Sequence, residues 1–251
     1  PELFVRWVQN GVFHPRFTIH SWNDDGTVNE PWMYPEVTDH IRAAIALRYQ
    51  LLPYLYTCLW QAAHHSEPML RPAFLDFGDD PQTWDESDSF LLGRDILVAP
   101  VLDQGVDTLS VYLPRHPGGW WDFHTGIWHE GGQWLTVPVT LDTIALFVRG
   151  GAVIPMGQGA ERAAPQAETS RLLAIFPAAG AAETTSLLYE DDGTTQGGDW
   201  CLTHLVLTST DTNISLTTTR DGTGQPVVPQ ARLVLPAGER RPLTTQTRID
   251  L

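Results

Sequence analysis

The sequence contains no lysine, so its 15 basic residues are all arginines, and they stand against 30 acidic residues. The formal net charge is therefore −15 at pH 7. A nucleic-acid duplex or an anionic membrane surface repels a chain of this charge. The one basic doublet, Arg240–Arg241, is too small to offset that repulsion. We expect neither nucleic acid nor membrane among the binding partners.

The chain also has few cysteines and no long apolar run. Cys58 and Cys201 are too few for a disulfide framework, and the apolar surroundings of Cys58 indicate a small buried hydrophobe. No stretch approaches the roughly 18 consecutive apolar residues of a membrane span, and no signal peptide is recognisable. The chain starts at Pro1, which indicates a fragment or a processed product. Localisation therefore stays open, with a soluble cytoplasmic protein favoured over a secreted one.

Several catalytic and cofactor motifs are missing. There is no HExxH, no Cys/His ligand spacing, no GxSxG elbow, no phosphate-cradling glycine loop and no dinucleotide fingerprint. We therefore predict no cofactor and no metal. A metal-dependent hydrolase would have to bind its ion at His64–His65 or at Asp24–Asp25.

The hydrophobic period changes along the chain. Helical spacing covers 1–10 and 39–65, and a short strand is predicted at 16–20 between them. After Pro68, short β-type runs separated by Gly and Pro are typical of a sandwich, and 157–169 has the composition of a linker. A strand, a loop and a helix followed by an all-β region look like the last turn of a barrel joined to a sandwich. The predicted runs are Met69–Phe77, Phe90–Leu102, Leu109–Leu113, Trp120–Phe123, Trp134–Val137, Ile144–Ile154, Leu172–Phe176, Thr185–Tyr189, Trp200–Leu207, Asn213–Thr219 and Arg232–Leu235.

His20 ends the predicted strand and opens a loop that contains Trp22 and Trp32. In a (β/α)8 barrel, side chains at the C-terminal strand ends face the active site, where a neutral imidazole can hydrogen-bond a sugar hydroxyl. The alternative is a structural histidine that ties the loop to the strand. Trp22 and Trp32 are either sugar-stacking platforms or loop anchors.

Two Asp-Asp-Gly-Thr segments, at 24–27 and 191–194, carry paired carboxylates. A retaining glycosidase needs two carboxyl groups about 5–5.5 Å apart, and adjacent residues in a turn rarely point the same way. Neither segment has the alternating oxygen ligands of a calcium loop. We interpret both segments as turns, the second as a hairpin turn.

The residues resemble glycoside hydrolase family 31, the retaining α-glucosidases, α-xylosidases and their relatives. The resemblance covers about residues 1–193 as a series of motifs in family order. The motifs are Glu2-Leu-Phe-Val-Arg-Trp7, Phe13-His-Pro15 leading to His20, Arg48-Tyr49 with Leu52-Pro-Tyr-Leu-Tyr56, Pro68-Met-Leu-Arg-Pro72, Phe90-Leu-Leu-Gly93 with Ile96-Leu-Val-Ala-Pro-Val101, Trp121-Asp-Phe123, Leu141-Asp-Thr-Ile144 with Phe147-Val-Arg-Gly-Gly151, and Tyr189-Glu-Asp-Asp-Gly193.

The resemblance implies the fold and one site residue. It implies the C-terminal end of a (β/α)8 barrel at 1–65, a proximal β-sandwich at 66–157 and a distal β-sandwich at 158–251. It places His20 where the family has a histidine that contacts the sugar in the −1 subsite. The loop after His20 departs from the family pattern, so the resemblance assigns no role to Trp22, Asp24 or Asp25, and Trp22 stays a candidate from its position alone.

The resemblance also implies what this chain lacks. The family's nucleophile and acid/base are aspartates on earlier barrel strands, one in a Trp-x-Asp-Met type motif that does not occur here. Asp122 falls in the sandwich and is interpreted as a turn residue, and Arg71 as an ion-pair partner at the junction of barrel and sandwich. We predict the C-terminal part of a retaining α-glycosidase that is inactive alone. Its partners would be an α-glucoside or oligosaccharide and the missing N-terminal part of the barrel.

Two other readings stay open. The chain could be a non-catalytic carbohydrate-binding or structural β-sandwich module, which its ten tryptophans favour. It could also belong to an α-xylosidase or a transglucosidase of the same family.

Overall fold

The computed structural model describes residues 1–20, 23–157, 171–226 and 231–247, with backbone alone at 231–234 and 246–247. Two long helices stand near the start of the chain, and strands dominate the rest of the described residues. Helix α1 spans Glu2–Gly11 and buries Val5 and Val8, while Leu3 and Trp7 on another face are 77% and 68% exposed. The predicted helix at 1–10 is confirmed.

Helix α2 spans Thr38–His65, in agreement with the prediction for 39–65. Asp39 lies in its first turn, where a carboxylate complements the helix dipole. The helix ends at Ser66, which adopts the left-handed conformation (φ 57°). Among the described helices, none combines the length and the apolar character that crossing a bilayer requires.

The predicted strand at 16–20 is not formed. Residues 17–20 form no regular secondary structure and belong to no ladder, because no described strand pairs with their backbone groups. The side-chain alternation is nevertheless as predicted. Phe17 and Ile19 pack against the main core, and Thr18 and His20 are exposed.

The first β region is built from a six-stranded antiparallel sheet and a two-stranded sheet. The six-stranded sheet has the order β1-β2-β3-β8-β5-β6, and β4 pairs with β7. The strand bounds are β1 Leu70–Arg71, β2 Phe90–Leu92, β3 Ile96–Ala99, β4 Thr108–Leu113, β5 Trp120–Asp122, β6 Trp128–His129, β7 Gln133–Pro138 and β8 Ala145–Arg149.

Strand β3 shows how this sheet is buried on both faces. Ile96 and Val98 belong to the main core, together with residues of α1 and α2. Leu97 and Ala99 belong to a second core that also contains residues of β4. Because successive side chains of a strand point to opposite faces, the sheet lies between the helices and the β4–β7 pair.

The second β region contains a three-stranded and a four-stranded sheet. Their orders are β14-β10-β9 and β11-β12-β13-β15. A third core lies between them, with Val153, Ile175 and Leu205 fully buried. The strand bounds are β9 Ala152–Met156, β10 Arg171–Phe176, β11 Ala182–Asp191, β12 Trp200–Ser209, β13 Ile214–Gly222, β14 Ala231–Val234 and β15 Leu243–Thr247.

Three of the predicted β runs are divided in the structure. Phe90–Leu102 contains the two paired strands β2 and β3. In Met69–Phe77 the strand ends after Arg71, because Pro72 has no N–H to donate, and Ala73–Asp76 forms the short helix α3. Ile144–Ile154 contains two strands that do not pair with each other. Gly151 between them adopts φ 102°, and there the chain passes from the six-stranded sheet to the three-stranded one. The predicted linker at 157–169 lies almost wholly outside the described residues.

Candidate functional site

His20 lies at the end of segment 17–20, and its side chain is exposed. Phe17 and Ile19 of the same segment pack against the main core, which includes residues of α1 and α2. The exposed imidazole of His20 is therefore accessible to a ligand.

The segment before His20 is held by Arg48 of α2. Its Nη1 donates to the carbonyl oxygens of Val12 at 2.6 Å and His14 at 2.7 Å, and its Nη2 donates to that of Pro15 at 3.2 Å. Its guanidinium carbon lies 5.5 Å from the centre of the Phe17 ring, within the range of a cation–π contact. Burial lowers the pKa of Arg48, and burial, with a smaller effect of the Arg48 charge, lowers the pKa of His14.

The loop after His20 is a turn, as predicted. Asp25 Oδ1 accepts hydrogen bonds from the backbone N–H and the hydroxyl of Thr27 at 3.0 and 2.8 Å. These bonds lower the pKa of the exposed Asp25 carboxyl. Trp32 is 66% exposed, and Trp22 lies outside the described residues. Asp24 and Asp25 are therefore not a carboxylate pair facing a common ligand.

The second Asp-Asp-Gly-Thr segment is a hairpin connection, but its two aspartates differ. Asp192 bonds the backbone N–H groups of Thr194 and Thr195 within the loop, as a turn residue does. Asp191 accepts from the backbone N–H of Gly193 in this loop and also reaches helix α2, where the Tyr56 hydroxyl lies 2.8 Å from its Oδ1. The interpretation as a pair of turn residues is thus right for Asp192 and incomplete for Asp191.

Two further predictions for structural residues are confirmed. Asp122 Oδ1 accepts from the backbone N–H groups of His124 and Thr125 at 2.9 and 2.8 Å, which makes it a turn residue. Arg71 is buried and forms ion pairs with Asp76 at 2.6 Å and Glu67 at 2.7 Å. It links β1 to Glu67, just after the end of α2, and to Asp76 of α3.

The remaining polar candidates are structural. His64 Nδ1 lies 3.0 Å from the carbonyl oxygen of Trp60, and no group of three or more potential metal ligands occurs in the described part of the chain. Cys58 is buried as predicted, and burial raises the pKa of its thiol to about 12. Arg241 is engaged by Glu239 and by two backbone carbonyl groups.

Sequence reasoning assigned no role to Arg48 or Tyr56, although both stand in motifs that were recognised. Their partners lie 33 to 36 and 135 residues away along the chain, and no local spacing reports such contacts. One signal was present for Arg48. It is a charged residue between Leu47 and Tyr49 in an otherwise apolar helix segment, where its charge needs partners.

Two family models match the chain in succession. Residues 1–58 match the TIM-barrel domain of glycosyl hydrolases family 31, and residues 66–154 match the C-terminal domain of the same family. The first match ends within α2, and the second begins just after that helix.

Individual proteins are similar over most of the chain. Human neutral alpha-glucosidase AB is 37% identical over 196 residues, which are 78% of this chain and 21% of that protein. Alpha-glucosidase 2 of Bacillus thermoamyloliquefaciens is 33% identical over 229 residues, 90% of this chain and 28% of that protein. The crystal structure of a GH31 alpha-xylosidase from Xanthomonas citri superposes with a TM-score of 0.80 and 29% identity, over 95% of this chain and 26% of that one. The chain thus spans between about a fifth and just over a quarter of the length of these proteins.

Proposed function

The chain belongs to glycosyl hydrolase family 31, and we propose that it is the C-terminal part of a retaining α-glycosidase that hydrolyses α-glucosidic bonds. The observation that carries the proposal is the position of His20, on the open face of a segment whose other face is packed against barrel-type helices. A neutral imidazole there offers one donor and one acceptor to the hydroxyl groups of a sugar.

In the proposed reaction, one carboxylate attacks the anomeric carbon and displaces the leaving group, which a carboxylic acid protonates. The same acid, now a base, activates the water that releases the sugar. We assign neither carboxyl group to this chain. The carboxylates that follow His20 most closely belong to the turn at 24–27, where Asp25 is engaged by Thr27. His20 would hold the sugar while groups outside this chain carry out the bond exchange.

The partner that would bring those groups is the rest of the (β/α)8 barrel. Helix α1 has room for it, because Leu3 and Trp7 are exposed beside the exposed Leu102. These side chains line a groove of about 490 Å³ between α1 and residues 101–104. Covering it would bury apolar surface and stabilise the assembly. The division into 1–65, 66–157 and 158–251 remains part of this proposal, as does the choice of an α-glucoside over an α-xyloside.

The test is His20→Ala in the complete protein that carries this chain. Losing a hydrogen bond to a sugar hydroxyl, strengthened in the transition state, lowers kcat/KM by about 10- to 100-fold. His65→Ala, which removes an exposed imidazole at the far end of α2, serves as the matched control and leaves kcat/KM unchanged. An unchanged kcat/KM in His20→Ala, with the protein folded, would remove His20 from the sugar site.

A further inference from the structure

We propose that Arg48 is a positioning residue for His20. It acts by holding the backbone of residues 12–17, which connects the end of α1 to segment 17–20. The inference rests on the proposed function, in which His20 holds the sugar. Arg48 itself would not touch the substrate.

The first argument concerns the groups that the Arg48 guanidinium contacts. It makes no ion pair with a carboxylate in the described residues, and its guanidinium donates to three backbone carbonyl groups within four residues of one another. A planar guanidinium can serve several such acceptors at once because its donors are fixed in a fork. A side chain needed only for charge balance or solubility would not converge on one short stretch of backbone.

The second argument is the chemistry of the stretch that Arg48 holds. Val12 is the C-terminal cap of α1, and α1 has no basic residue in its last turn. The carbonyl groups at a helix C-terminus lack intrahelical partners and carry a partial negative charge. Arg48 donates to the carbonyl group of Val12 and brings a cation from α2 to this helix end, so it fixes the direction in which the chain leaves α1.

The third argument connects these hydrogen bonds of Arg48 to His20. The guanidinium lies over Phe17, and the Phe17 ring also lies against Gly11, where an added Cβ would come within 3.2 Å of it. Phe17 is therefore held between the end of α1 and Arg48. Phe17 and Ile19 pack against the main core while Thr18 and His20 are exposed, so fixing Phe17 fixes the course of the residues that lead to His20. A shift of Phe17 would turn the imidazole away from the sugar.

The test is a double-mutant cycle in the complete protein, with kcat/KM as the readout and thermal unfolding as the check on folding. Arg48→Ala lowers kcat/KM by about 10-fold, since displacing a binding group by about 1 Å suffices for losses of this order. In the His20→Ala background the same change lowers kcat/KM by less than about twofold, because the group that Arg48 positions is already absent. A residue with a merely structural role would cost the same factor in both backgrounds.

Matched variants keep the test sharp. Arg48→Lys keeps the charge but cannot span three carbonyl groups, so kcat/KM falls to a value between those of the native protein and Arg48→Ala. Arg241→Lys is the control, because Arg241 also donates to backbone carbonyl groups, those of Ala178 and Thr210, far along the chain. This variant leaves kcat/KM unchanged. If Arg48→Ala does not fold, Phe17→Leu replaces it, because it removes the ring beneath the guanidinium and keeps an apolar contact. Phe17→Leu then lowers kcat/KM in the native background and has little effect in the His20→Ala background.

The outcomes separate the two claims. If His20→Ala lowers kcat/KM and Arg48→Ala acts equally in both backgrounds, or has no effect, the positioning role is overturned and the proposed function stands. If His20→Ala leaves kcat/KM unchanged, the proposed function falls and the role of Arg48 falls with it. A fall in Arg48→Ala that disappears in the His20→Ala background supports both.

Discussion

Asp191 on β11 accepts a hydrogen bond of 2.8 Å from the hydroxyl group of Tyr56 on α2, so the four-stranded sheet and this helix are directly connected. The Tyr189 hydroxyl reaches the same carboxylate at 2.9 Å, and its backbone N–H donates to Thr57 of α2 at 3.1 Å. Burial, reinforced by the bond to Asp191, raises the pKa of Tyr189 to about 12. These contacts attach the four-stranded sheet to α2.

Asp191→Ala removes the acceptor that the two tyrosines share. We expect the free energy of unfolding to fall by about 1–2 kcal/mol, the range for a partly exposed hydrogen bond to a charged group. Asp192→Ala is the control, because Asp192 bonds only to threonines of its own loop, and it should cost less. Urea denaturation measures both. Equal losses would show that the two aspartates act only as turn residues.

Arg71 and Arg94 form a matched pair for testing the junction cluster. Both contact Glu67 and Asp76, but the Arg71 side chain is 5% exposed and that of Arg94 is 53% exposed. Arg71→Met leaves the buried Asp76 carboxylate with a weaker partner, and we expect a loss of about 3 kcal/mol. Arg94→Met removes a solvent-screened pair and should cost less than about 1 kcal/mol. Thermal or urea unfolding decides, and similar losses would contradict the assigned burial.

Gly93 tests the packing of α2 against the first sheet. Its φ is +57°, and an added Cβ would come within 2.3 Å of the Tyr54 hydroxyl oxygen and 2.8 Å of Cys58 Sγ. Gly105 also has a positive φ, of +70°, but an added Cβ would meet nothing within 4 Å. Both alanine variants share the backbone penalty, so Gly93→Ala should lose about 2 kcal/mol more than Gly105→Ala, from overpacking. Equal unfolding free energies would contradict this contact.

His116 should make the protein less stable in acid. Burial, with a smaller effect of the Arg149 charge, lowers its pKa to about 4, whereas the unfolded chain has the ordinary value of about 6.5. Between these values only the unfolded state binds the proton, so the free energy of unfolding falls as the pH falls through this window.

The ring of His116 is partly exposed, and solvent screening reduces the expected loss between about pH 7 and pH 4 to about 1–2 kcal/mol. His116→Phe keeps an aromatic ring beside Phe77 and Trp120 and removes the titrating group. Its acid-induced loss should therefore be smaller than that of the native protein by this amount. Parallel pH dependences of the two unfolding free energies would contradict the assignment.

Much of the secondary structure could be predicted because it depends on the local spacing of apolar residues. Helical spacing predicted α1 and α2, and the switch to short β runs after Pro68 predicted that strands follow them. The alternation of Phe17 and Ile19 with Thr18 and His20 was also visible. The strand itself was not formed, since a ladder depends on a neighbouring strand and not on the segment alone.

The contacts that hold the candidate site could not be predicted in the same way. The bonds of Arg48 to 12–15 and of Tyr56 to Asp191 join residues far apart in the chain, and they depend on how the elements pack. Asp191 and Asp192 are neighbours with the same residue type, and both accept backbone N–H groups of their own loop, yet Asp191 also reaches α2. Sequence spacing predicted the turn and carried no information on which carboxylate would also contact the helix.

The central claim is that this chain contributes a sugar contact to an α-glycosidase whose catalytic carboxylates lie elsewhere. Its most direct test is the turnover of an aryl α-glucoside, measured side by side for the complete protein and for the 251-residue chain alone. We predict hydrolysis by the complete protein and none by the isolated chain. Hydrolysis by the isolated, pure chain would contradict the claim.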